Sequence, residues 1–182
     1  MTQSSLPYPL SSIVDDIRRS YDHALYYPAL VVALTLPEIC IALTFDKENF
    51  VKGKHYTAFI DKYTTPSGLG LNGTQCYSLR GGVVHRANAS GHPHFPADYV
   101  VFTVPESGIS IHALTMQGQS GKMGAFFSLK DFIEAMISAA IKWYEENKNN
   151  QNVIANLPLL ISWREFDTPP FGSMGPFIGS GS

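Results

Sequence analysis

Between Ala29 and Leu43 the chain reads Ala-Leu-Val-Val-Ala-Leu-Thr-Leu-Pro-Glu-Ile-Cys-Ile-Ala-Leu, with Glu38 its one charged residue. A helix that is apolar on every side has no solvent face, so it must be enclosed by other helices or by lipid. A spanning helix wants about 20 apolar residues without a charge, and Thr35, Pro37 and Glu38 interrupt this run. The segment is therefore read as the central, all-round buried helix of a bundle, and no membrane span is expected. Pro28 suits the first turn of this helix, which should run to about Phe45, and Pro37 should kink or split it.

A central helix needs companions, and the apolar spacing supplies them. Ile13, Ile17, Tyr21 and Leu25 recur every four residues, behind a candidate capping box of Ser12 and Asp15. Lys54 to Tyr63 predicts a short helix with Tyr56, Phe59, Ile60 and Tyr63 inward. Asn72-Gly73-Thr74 reads as a turn and N-cap before a fourth helix, from about Gln75 to Ala89. Ser128 and Asp131 form another box, followed by an amphipathic helix to about Asn147 that carries Phe132, Ile133, Met136, Ile137, Ala140, Ile141 and Tyr144.

Between these helices the pattern changes. Tyr99 to Val104, Ile109 to Leu114 and Gly124 to Phe127 are rich in β-branched and aromatic residues, and Gly118 to Lys122 reads as a hairpin turn. The expected fold is mainly α: a bundle of about four to five helices with a small antiparallel hairpin or meander inserted near 98–127. The length of 182 residues suits one core. Residues 1–166 are expected to form a single domain, and the Gly- and Pro-rich stretch 167–182 a flexible tail.

Composition removes several function classes. Apolar residues are 45% and charged residues 15%, which excludes wholesale disorder. The net charge of −2 provides no basic excess for coating nucleic acid, so any such contact must be a local pocket. Cys40 and Cys76 have no metal spacing and read as buried, reduced thiols. The opening residues MTQSSLPYPL predict no export signal, and a cytoplasmic protein is expected. His92-Pro-His94 and His85 lack a carboxylate or cysteine at ligand spacing, so neither a metal nor a cofactor is expected.

The chemistry concentrates in Arg80-Gly-Gly-Val-Val-His85. On a helix, five steps turn about 140° and advance about 7.5 Å, so only a long arginine can bring the two side-chain tips together. An imidazole can move protons near neutral pH, and a guanidinium can hold a phosphate and the charge that builds on it. Such a pair suits RNA cleavage through the 2′-OH, without a metal. Arg86, and backbone exposed at Gly81 or Gly82, are candidate phosphate contacts. Close helix packing is the other reading of the two glycines.

The Arg-x4-His motif on a helix of a small bundle resembles the HEPN superfamily. The resemblance rests on the helical reading of residues 10–90 and the helix at 129–147. It implies a metal-independent endoribonuclease, with His85 as general acid or base, Arg80 as phosphate clamp and Glu38 as an orienting group behind them. It also implies a homodimer whose two motifs line one cleft, and a toxin or phage-defence setting with an antitoxin-like partner. The position after the arginine is commonly polar in active members, and here it is Gly81. That leaves a non-catalytic module binding RNA, a nucleotide or a protein as the alternative. In a third reading Arg80 simply pairs with Glu38, which in so apolar a segment must be neutral or paired.

Overall fold

The computed structural model describes residues 6–46, 49–64, 66–90, 94–95, 97–164 and 177–180. Its helices are α1 (Leu10–Asp22), α2 (Tyr26–Ala42), α3 (Gly53–Tyr63), α4 (Pro66–Leu69), α5 (Gly73–Arg86), α6 (Leu129–Asn147) and α7 (Gln151–Asn156). The strands are β1 (Tyr99–Thr103), β2 (Leu114–Gln117), β3 (Met123–Ser128), β4 (Ser162–Arg164) and β5 (Phe177–Gly179). The mainly helical architecture with a small strand insertion is as expected.

Helix α2 is the hub, packing against α1, α3, α5 and α6. Ala29, Leu30, Ala33, Leu34, Leu36, Pro37, Cys40 and Ile41 are buried along it. The enclosure is incomplete, however. Tyr27 and Ala42 are exposed, and Val31, Thr35 and Glu38 are half-buried, all on one stripe at helical spacing. Pro37 neither splits nor ends the helix, which is one element through Ala42. The proline has no N–H to donate to the Ala33 carbonyl, and packing on both sides carries the helix past that lost bond.

The remaining helices follow their apolar stripes with small shifts. In α1 the buried stripe is Leu10, Val14 and Ile17. The helix begins before Ser12, so the expected capping box does not form, and the Ser12 hydroxyl donates back to the Pro9 carbonyl at 2.7 Å. In α3 all four expected residues, Tyr56, Phe59, Ile60 and Tyr63, are buried. In α6 Ser128 accepts from the Asp131 N–H at 3.3 Å, as expected of the cap. Trp143 is buried there in place of Ile141 and Tyr144, which are half-buried. An Arg18–Glu134 pair joins α1 to α6, through Nε at 3.1 Å and Nη2 at 2.9 Å.

The sheet differs from the expected meander. Its order is β1-β3-β2, with β2 antiparallel to β3 but β1 parallel to it. The hairpin turn at Gly118–Lys122 does form, closed by Gly118 N–H to the Lys122 carbonyl at 2.8 Å. The middle strand expected at Ile109 starts only at Leu114, because Ala113 turns the backbone to φ 55°. The stretch before it is tied to β1 through the Thr103 hydroxyl, 3.3 Å from the Ile111 carbonyl, rather than by a ladder. Strand β3 buries Ala125 and Phe127 and runs directly into α6. Within the expected flexible tail, Phe177–Gly179 pairs antiparallel with Ser162–Arg164. Residues 167–176 and 181–182 lie outside the described residues.

Among the described residues no helix is long and apolar enough to cross a membrane.

Candidate functional site

Helix α5 carries the motif and is fixed at both ends. At its start Asn72 accepts from the Gln75 N–H at 2.9 Å, while Gln75 accepts from the Asn72 N–H at 3.0 Å. This reciprocal box starts the helix at Gly73, slightly before the expected Gln75. A Cβ on Gly73 would lie 2.3 Å from the Thr57 carbonyl oxygen, so only glycine lets α5 sit this close to α3. The Gly73 N–H donates to Asp61 at 2.7 Å across the same contact. At the far end Ala87 adopts the left-handed conformation, φ 49°, and the Ala87 and Asn88 N–H groups close on the Val83 and Gly82 carbonyls. The Tyr27 hydroxyl also donates to the Val83 carbonyl, at 3.0 Å.

Between these clamps three side chains converge. Arg80 Nη2 donates to Glu38 Oε2 on α2, and Arg80 Nη1 lies 3.2 Å from His85 Nε2. A guanidinium only donates, so Nε2 accepts and the neutral ring carries its proton on Nδ1 in this arrangement. The Arg80 side chain is 15% exposed and that of Glu38 33%, whereas His85 is an exposed residue. Arg80 Nε is buried with no partner among the described residues. The Arg80–Glu38 pair is the one that the third reading expected, and the contact with His85 extends it into one ionic and hydrogen-bonded chain.

The tips of Arg80 and His85 line an open cleft of about 480 Å³, together with Gly81, Gly82 and Arg86. All the motif residues named from sequence therefore meet there, apart from Glu38, which stands behind Arg80. The cleft adds Tyr77, Ser78, Asn88 and Ser90, which were not assigned to it from sequence, and His94, which was weighed beside His85 only as a metal ligand. Helical spacing pointed to Tyr77, four residues before Gly81. His94 had no helical spacing to place it, and the tertiary fold sets it in the cleft beside His85. Two arginines and two histidines line the cleft, and no acidic residue is among its described lining.

The two glycines separate. Gly82 is buried, as a packing glycine is. Packing does not account for Gly81, since a Cβ there would have no atom within 4 Å. A glycine inside a helix costs about 0.5–1 kcal/mol against alanine, and at Gly81 no close approach of a neighbour offsets this.

Other candidates hold less. Cys40 and Cys76 are free and buried, and burial pushes the Cys76 thiol up to about 12 and that of Cys40 upward as well, so neither provides a thiolate. His92 lies outside the described residues, and no group of three His, Cys, Asp or Glu side chains suited to a metal is found among those described. A second cavity of about 490 Å³, beside α3 and α6, sets Asp131 and Glu134 against Lys142 and so has no preference for an anion.

Comparison of the chain with protein-family models, with curated proteins and with solved structures found no match.

Proposed function

We propose that this protein is a metal-independent endoribonuclease of the HEPN type, working in the cleft at Arg80 and His85. The observation that supports this most is electrostatic. On a chain of net charge −2, a cleft whose described lining holds arginine and histidine but no acid suits a phosphodiester. In the reaction His85 Nε2 takes the proton of a ribose 2′-OH, and the 2′-oxygen attacks the adjacent phosphorus. The bond to the 5′-oxygen breaks, and that oxygen leaves with a proton as a 5′-OH. The other product ends in a 2′,3′-cyclic phosphate. Arg80 turns its Nη1 from His85 to the phosphate, while Glu38 holds the other edge of the guanidinium. A preorganised cation stabilises the extra charge on the phosphoryl oxygens.

A second copy of the chain supplies the acid for the leaving oxygen in a composite cleft. The half-exposed α2 stripe of Tyr27, Val31 and Thr35 lies on the helix next to α5 and is available for such a homodimer. In a toxin or phage-defence setting, a partner protein covering the cleft would act as the antitoxin.

One observation favours a binding module instead. His85 Nε2, the atom a general base needs free, already accepts from Arg80. The two readings divide on cleavage of end-labelled RNA in excess chelator. The ribonuclease leaves 2′,3′-cyclic phosphate ends and loses this activity in His85→Ala. Binding without cleavage across a broad RNA set leaves the module. Neither binding nor cleavage leaves Arg80 as a strut for Glu38.

A further inference from the structure

We infer that the cleft takes single-stranded RNA by stacking one unpaired base on Tyr77, with Gly81 kept small so that the nucleotide can reach across the helix to Arg80. This rests on the reading of the cleft as an RNA site and adds the form of RNA it accepts.

Tyr77, Gly81 and His85 are spaced by four residues on α5, so they lie one above another on one face, about 6 Å apart along the axis. The Tyr77 ring is set against the Tyr56 ring, centroids 5.6 Å apart, and against Gly53, where a Cβ would lie 2.8 Å from it. Tyr56 is itself immobilised, 1% exposed, with its hydroxyl donating to the Leu34 carbonyl at 2.9 Å. Tyr77 is thus backed by the core, yet it remains 41% exposed and lines the cleft. A large aromatic ring braced from behind and open in front is what base stacking requires, and stacking tolerates any base. The base must first leave its helix, because paired bases are stacked on each other. Gly81 fits the same picture: its missing side chain opens the surface between ring and guanidinium, and no protein atom uses the space.

The test uses a fluorescein-labelled 2′-O-methyl RNA 10-mer, which lacks the nucleophile and cannot be cut, with binding read by anisotropy. The full chain is expected to bind the single strand more tightly than the same sequence annealed to its complement. Tyr77→Phe keeps the affinity, while Tyr77→Leu weakens it about 5- to 150-fold, the range found for losing one stacked base. Gly81→Ala raises the melting temperature yet weakens binding, an opposition that a damaged fold cannot produce. The inference is overturned if Tyr77→Leu and Gly81→Ala bind as the parent does, or if duplex binds as well as single strand. Binding that depends on Tyr77 without any cleavage of ordinary RNA sinks the ribonuclease reading and keeps this one. Cleavage that is indifferent to Tyr77 does the reverse.

Discussion

Two arginines in this molecule reach across a helix seam to a glutamate, and they differ in what is left over. Arg18 meets Glu134 with Nε and Nη2, one to each carboxylate oxygen, a closed fork of two parallel bonds. Glu134 raises the arginine above its ordinary value chiefly through that hydrogen bond. Arg80 gives Glu38 one nitrogen, gives His85 another, and keeps Nε buried without a partner among the described residues. The first arrangement spends its donors on the fold, while the second leaves them unevenly used beside an open cleft. Under the proposed function this asymmetry is what lets Arg80 turn one nitrogen to a phosphate while Glu38 holds another.

The comparison can be broken most sharply at His85. His85→Ala is expected to lower RNA cleavage by about 100-fold or more, the usual range for removing a proton-transfer group, while thermal unfolding stays near that of the parent. If the variant cuts equally well, the activity belongs elsewhere. Arg80→Ala should abolish cleavage and also cost about 2 kcal/mol, because Glu38 is left part-buried and unpaired. Denaturant titration measures that cost, and Arg80→Lys separates charge from shape by keeping the first and losing the planar guanidinium that reaches Glu38 and His85 together. Gly81→Ala should stabilise the fold by about 0.5–1 kcal/mol, since its side chain meets nothing. Arg18→Ala is expected to cost about 0.5 kcal/mol, as half-exposed pairs do, and to leave cleavage unchanged. A stability loss at Arg18 equal to that at Arg80 would erase the distinction drawn between them.

Local signals carried most of the helices. The inward set of α3, the Asn72 cap of α5 and the Ser128 cap of α6 each depend on residues within two turns of one another, and all three were legible. Signals that depend on distant partners were not. Nothing within β1 says that it pairs parallel to β3, because register across a long crossover is settled by what the strands bury. Position Ala113 gave no warning of a positive φ, since alanine has no preference for that region. The start of α1 was missed because Ser12 and Asp15 mimic a box that Pro9 pre-empts. At the site, the motif itself and Glu38 were readable as residue types in a pattern. Tyr77 was within reach of helical spacing on α5, whereas His94 joins them through the tertiary fold.

Two of the glycines of α5, Gly73 and Gly81, also foretell how the chain can diverge. Gly73 has the Thr57 backbone where its side chain would be, and backbone cannot yield as a side chain can. Any descendant that keeps α3 against α5 must therefore keep glycine there, whatever it does for a living. Gly81 is under no such packing rule, since a side chain there meets no protein atom within 4 Å. If the proposed use of the cleft holds, a pair of positions eight residues apart on one helix records separately the inheritance of a fold and the inheritance of that use.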